Sequence, residues 1–247
     1  MSEAARRTLQ SSRRLAADRS FLDYAVHGSR RHGFVYVVNP KVACSSILWT
    51  LRCLEAGTTE ARPERVGDIH DRTDSPLLTA TDLGGATAAL EASGPLRFTF
   101  VRNPYDRLLS CYLQKIVRPT LQRRLLLRRL GRAEDDPGEV SFEAFIDAIC
   151  DQPPEEMDPH WRIQAVQTLQ GVARYDAIGR FEQLDRDLAE IGARLSPDFH
   201  RFVHAERRQA TGAKPFDLVT PRLAARIRAT FEDDFSRFGY SPEVPAP

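Results

Sequence analysis

Short apolar runs punctuate this chain, and longer stretches of helical period lie between them. Val35 to Val38 form an unbroken apolar run, the pattern of a buried strand. "LRFTFV" at 96–101 carries the aromatic and β-branched weight of a second strand, and "YDAIGRF" at 175–181 reads as a third. After the first strand, Ile47, Leu48, Leu51 and Leu54 share one face of a helix over 45–56 that stops before Gly57. Asn103 and Pro104 open a helix behind the second strand as N-cap and first position. Ser141 caps another, and Asp158 with Pro159 begins one that Gly171 ends. Further helices are expected over 119–131, 183–194 and 221–236, with one short helix near 82–92 in the loop-rich stretch 57–95. Residues 1–32 read as a leader helix and a turn. Strands separated by helices predict an α/β fold with a parallel sheet covered on both faces. The expected division is a leader at 1–32, one domain at 33–241 and a tail at 242–247.

Composition narrows the picture. The 247 residues, 42% of them hydrophobic, suffice for one large domain with its own core. A net charge of +1 gives no global reason to expect nucleic acid. Of 35 basic residues, only Lys41, Lys115 and Lys214 are lysines, so a lysine at position 41 carries information. The cysteines at 44, 53, 111 and 150 have neither metal-site nor disulfide-framework spacing. They are expected to be reduced thiols. No apolar run reaches the ~20 residues of a membrane span, and the start lacks a secretory apolar region. The expectation is a cytoplasmic protein without a metal.

The chemistry concentrates where strands turn into helices. "NPKVACSS", Asn39 to Ser46, takes a buried strand into a helix over small residues. Such a turn leaves backbone N–H groups pointing outward beside a positive helix end. Ser45 and Ser46 add hydroxyls, and Lys41 adds a point charge suited to a phosphate or sulfate oxygen. This is not a Walker A loop, because the lysine comes first and glycine is absent. The second junction, "FVRNPYDRLLSCYLQKI", sets Arg102 just past a strand and Ser110 two turns into the next helix. Two such junctions at the carboxyl ends of strands imply a ligand with two separated anionic ends.

These two elements resemble the cofactor-binding segments of sulfotransferases that use 3′-phosphoadenosine 5′-phosphosulfate (PAPS), most closely the carbohydrate (Golgi-type, chondroitin-like) family 2 branch. "DPHWRIQ", "YDAIGRFEQLDRDL" and "FEDDFSRFGY" are similar to that branch in order and spacing, so the resemblance spans about 33–241. It implies a P-loop-like three-layer α/β sandwich in a single domain. It also implies that Lys41 and the loop Pro40, Val42, Ala43, Cys44, Ser45 and Ser46 hold the 5′-phosphosulfate. Arg102 and Ser110 then grip the 3′-phosphate. Two departures stand out. "RRQATGAK" at 207–214 has Gln209 where cytosolic relatives carry a glycine, and no membrane anchor like that of the Golgi-type relatives is read from the chain.

An acceptor hydroxyl needs a general base, and histidine has the right ordinary pKa. His27 and His32 precede the first strand and are expected at the surface; His200 and His204 flank an arginine-rich loop. His70 lies between the two cofactor motifs, where the resemblance implies the acceptor approaches, and is the preferred base. His160, at a helix start, is the alternative. Asp71 would orient His70 only if its loop folds back, and Glu182 is the reserve carboxylate. Six arginines over 118–132 alternate with leucines as a solvated face, a surface for an anionic glycan acceptor, or a peripheral membrane contact. The leading expectation is sulfuryl transfer to a hydroxyl acceptor, that of a carbohydrate. A nucleotide-dependent phosphotransferase and a non-catalytic nucleotide- or sugar-binding relative stay open, as does the oligomeric state.

Overall fold

The computed structural model describes residues 1–59, 69–203 and 215–245. Its sheet has four strands in the order β1 Val26–Ser29, β2 Phe34–Val37, β3 Leu96–Val101 and β4 Ala177–Arg180. Helices α1 Glu3–Ala17 and α2 Arg19–Ala25 precede it. Between β2 and β3 come α3 Cys44–Ala56, α4 Ala80–Leu83 and α5 Ala86–Leu90. Between β3 and β4 come α6 Pro104–Cys111, a π-helical turn Tyr112–Ile116, α7 Leu121–Arg129, α8 Phe142–Cys150 and α9 Gln164–Gln167. Helices α10 Leu184–Leu195, α11 Pro221–Thr230 and α12 Glu232–Phe238 follow.

Strand alternation builds the three layers. Phe34, Tyr36, Phe98 and Phe100 pack with α3 and α10 on one face. Val35, Val37 and Val101 pack on the other, with α2, α6, α8, α11 and α12. The predicted apolar face of α3 is fully inside, with Ile47, Leu48 and Leu51 at 0% exposure. Each such side chain contributes ~1.5–3 kcal/mol by its burial. In β4, a Cβ on Gly179 would come within 2.3 Å of the Phe100 ring, so only glycine lets β4 lie flat against that ring.

The sheet is mixed. β2, β3 and β4 run parallel, whereas β1 pairs antiparallel with β2, Val26 facing Val37. β1 lies in the stretch expected to be helix and turn. Its sequence, Val-His-Gly-Ser, has weak strand propensity, and tertiary pairing overrides it. His27 is consequently 1% exposed and packed beside Arg72 instead of lying at the surface. His32 is half-buried.

Three expected helices are broken. The one near 82–92 splits at Gly84 and Gly85, both in the left-handed region. The one begun at Asp158 turns back, and only Gln164–Gln167 is helical. Arg107 takes the carbonyls of Pro159 and Arg162, which a continuous helix would need for its own ladder. The last divides at Phe231, which lets the Asp234 carboxylate cap α9 through the N–H groups of Gln164 and Ala165.

The arginines around α7 are mostly tied down. Arg123 donates to the carbonyls of Ile116, Asp136 and Gly138, Arg128 pairs with Glu134, and Arg132 pairs with Asp136. Arg129 donates to the carbonyls of Ala148 and Asp151. Among the described residues, exposed Arg118 and Arg124 remain without a polar partner. A uniformly solvated cationic face is therefore not what this helix presents.

Candidate active site

Parallel pairing brings the ends of β2, β3 and β4 to one edge, so the residues that follow them meet there. Asn39 and Lys41 come from the first, Arg102 from the second and Phe181 from the third. The loop after β2 is held in an unusual shape. Lys41 (φ 74) and Ala43 (φ 64) both occupy the left-handed region, which costs a non-glycine residue of order 1–3 kcal/mol. Surrounding contacts hold it: the Arg102 Nη1 and Arg107 Nε donate to the carbonyls of Lys41 and Pro40, each at 3.0 Å. Ala43 is the N-cap of α3 and offers no side-chain cap, so the first N–H groups of that helix stay available to an anion. The side chains of Pro40, Val42 and Cys44 are buried. What this segment offers a ligand is its main chain, the hydroxyls of Ser45 and Ser46, and Lys41.

Lys41 Nζ donates to Gln114 Oε1 on the π-helical turn. Burial lowers its pKa to about 8, because the ammonium is poorly solvated, and among the described residues it lacks a carboxylate partner. The neighbouring Lys115 also adds its charge to this region, acting on Lys41, His70 and His160. Neither Gln114 nor Lys115 stood out in the sequence, although Lys115 is one of only three lysines.

Arg102 is 4% exposed and stacks on the Phe181 ring at 3.9 Å. Among the described residues its Nε has no hydrogen-bond partner, and Asp106 Oδ2 lies 4.0 Å away. A buried guanidinium with an orphaned donor is a poised anion site. Ser110 is buried on α6, and no hydrogen bond joins it to Arg102. Gln164 locks two of the strand ends together. Its Oε1 accepts from Asn39 Nδ2 at 3.0 Å and from the Arg102 N–H at 2.9 Å, while its Nε2 donates to the Arg102 carbonyl.

The histidines take distinct places. His70 Nε2 lies 3.2 Å from Ser45 Oγ in the first turn of α3. Burial opposes its charge, but the neighbouring Cys44 outweighs that and raises its pKa. Asp71 does not orient it, because its carboxylate accepts from the Thr73 N–H and hydroxyl. His160 Nδ1 lies 2.7 Å from Asp158 Oδ1. Burial, only partly offset by Asp158, puts its pKa below the ordinary value. Glu182 is spent on structure, accepting from the Asn103 N–H and the Tyr240 hydroxyl. His200 is exposed on a turn at Phe199–Phe202. His204, Gln209 and the rest of 207–214 lie outside the described residues.

An α/β sheet whose strand ends carry a lysine loop with an uncapped helix and, beside it, a buried arginine is an arrangement suited to a doubly anionic ligand. A family model described as the sulfotransferase family matches residues 26–241, and the chain belongs to that family. Carbohydrate sulfotransferase 14 of Homo sapiens is 29% identical over 226 residues, covering 86% of this chain and 59% of the relative. Its Mus musculus counterpart is 31% identical over 225 residues, with the same coverage. Carbohydrate sulfotransferase 8 of Homo sapiens is 26% identical over 234 residues, 85% of this chain and 54% of the relative. The chain thus spans somewhat over half the length of these curated relatives. No solved structure matches it significantly.

Proposed function

We propose that the protein transfers the sulfuryl group of PAPS to a hydroxyl of a carbohydrate. The observation that carries this reading is the joining of Lys41 to Arg102 at neighbouring strand ends, beside an uncapped helix N-terminus. The residues present fit such a donor: main-chain N–H groups of α3, Ser45, Ser46 and Lys41 for the 5′-phosphosulfate, and the orphaned Arg102 Nε with Ser110 for the 3′-phosphate. When bound, the donor supplies the sulfuryl group in an in-line displacement with little covalent work for the protein. Lys41 stabilises charge that grows on the leaving phosphate. The names of the relatives support a carbohydrate acceptor. Lys115, Arg118 and Arg124 support an anionic one, in preference to a membrane contact, because they continue from the turn that touches Lys41.

The test is Arg102→Ala. Adenosine 3′,5′-bisphosphate should bind one to two decades more weakly, the ~1.5–3 kcal/mol of a charge-assisted bond, while adenosine 5′-phosphate loses little. Equal losses for both ligands by calorimetry sink the assignment.

A second expectation concerns protons. The phosphates should raise the pKa of Lys41 from about 8, so adenosine 3′,5′-bisphosphate binding near pH 8 should take up protons. Calorimetry in buffers of different ionisation enthalpy measures this, and uptake unchanged in Lys41→Met would remove Lys41 from the phosphate site.

A further inference from the structure

We propose that His160, fixed by Asp158, takes the proton from the acceptor hydroxyl, and that His70 belongs to the donor cradle. This rests on the sulfuryl-transfer reading above and assigns its two histidines, reversing the preference drawn from sequence position.

A general base needs one ring nitrogen fixed and the other available. At His160, Asp158 Oδ1 accepts from both the ring Nδ1 at 2.7 Å and the main-chain N–H at 2.9 Å. An ionised carboxylate only accepts, so the ring proton sits on Nδ1 and the lone pair on Nε2. Nε2 has no hydrogen-bond partner among the described residues, and the side chain keeps 22% of its exposure, so a solute can reach it. Arg107 fixes where it stands, because one guanidinium bonds the carbonyls of Pro40, Pro159 and Arg162. The segment carrying His160 is thereby tied to the loop carrying Lys41. The charges that face His160 are Asp158, which favours its protonation, and Lys115 and Lys41, which oppose it as burial does. The balance keeps the imidazole neutral and competent as a base at neutral pH.

His70 has the opposite surroundings. Its Nε2 is already directed at Ser45 Oγ, in the first turn of α3. Cys44 favours its protonation and outweighs burial, Lys115 and Arg52, so its pKa is raised. A ring nitrogen already at hydrogen-bond distance from a serine of the anion loop suits a donor contact and is not free to take the acceptor's proton.

In the transfer, His160 Nε2 takes the hydroxyl proton as the acceptor oxygen bonds to sulfur. The bond that breaks joins sulfur to the bridging phosphate oxygen, whose electron pair stays on the phosphate near Lys41. The products are a sulfate ester and adenosine 3′,5′-bisphosphate, with the proton on the imidazolium.

Two measurements on the full chain test this. The first is single-turnover loss of labelled sulfate from PAPS against pH, with a desulfated chondroitin oligosaccharide present; transfer to water registers in the same assay. Wild type should show a rising limb centred below 6.5, the ordinary imidazole value. His160→Gln should lose ~10²-fold or more in rate together with that limb. Its affinity for adenosine 3′,5′-bisphosphate should stay within about three-fold, well under one hydrogen bond's worth. His70→Gln should keep the limb and bind the bisphosphate up to about ten-fold more weakly, as loss of one hydrogen-bonded contact requires. The second measurement is NMR titration of the ring protons without ligand. His160 should titrate below 6.5, and lower still in Asp158→Asn, with His70 above 6.5. If His160→Gln does not fold, Asp158→Asn decides: its limb should move to lower pH, with kcat falling and KM held. A limb that survives in His160→Gln, that vanishes in His70→Gln, or that stays in place in Asp158→Asn overturns the proposal. Failure of wild type to bind the bisphosphate at all would instead overturn the sulfotransferase reading.

Discussion

Lys41→Ala should lower turnover by ~10²–10³-fold, the cost of removing one preorganised group that stabilises developing charge. Bisphosphate affinity should fall by less than about ten-fold, because the main-chain N–H groups of α3 and Arg102 still hold the ligand. The separation follows from where Lys41 sits. It is half-buried and has no carboxylate partner among the described residues, so its charge is weakly screened and worth most when the leaving phosphate gains charge. Alanine at φ 74 meets the same left-handed strain as lysine, so the substitution leaves the backbone cost of the loop nearly unchanged. Lys41→Arg should restore little, since a planar fork does not replace a point charge in a closed site. Steady-state kinetics beside calorimetric affinities measure both quantities. Turnover within ten-fold of wild type in Lys41→Ala would make the loop a passive anion cradle.

The second large effect is on stability. Arg107 is 1% exposed, and its three nitrogens donate to three carbonyls from two separate segments. Burial lowers its pKa to about 10, so it stays charged at neutral pH. Arg107→Ala leaves three buried carbonyls unsatisfied and a large void. The expected loss is about 3–5 kcal/mol, or roughly 6–20 °C in Tm for a chain of this size. Arg107→Lys should recover only part of it, having one nitrogen centre where three are used. Thermal unfolding and urea titration report the change. A loss under 1 kcal/mol would mean that water replaces the guanidinium at no cost and that the clamp is dispensable.

Sequence legibility followed the range of the interactions. The apolar face of α3, β3, and the caps at Asn103 and Ser141 are local, and each arises from residues within a turn of one another. The strand–helix junctions drew attention to Lys41, Arg102 and Ser110, and the resemblance gave them their expected roles. β1 was illegible because its few polar residues become a strand only by pairing with β2. The roles of Gln164 and Asp234 were hidden for a similar reason. Gln164 bonds Arg102 across 62 positions and Asp234 across 70, and no periodicity within either segment encodes such a meeting. "DPHWRIQ" and "FEDDFSRFGY" were visible as familiar segments, but not as two halves of one hydrogen-bonded hub. The choice between His70 and His160 turned on which nitrogen is already engaged, and sequence position carries none of that information.

The helices before the sheet bear on how such a chain can change. The family match begins at residue 26, yet Leu15, Phe21, Leu22 and Ala25 share one buried cluster with Met157, Trp161 and Ile163. Ser11 and Arg14 both bond Glu155, and the Arg162 guanidinium lies 5.3 Å from the Phe21 ring centre. The upstream helices therefore brace the stretch that carries His160 from outside the matched region. Substitutions before residue 26 have a structural route to the segment carrying His160 that leaves the sequence of the Lys41 loop untouched. Preference for an acceptor and grip on the donor can diverge at different rates within one fold.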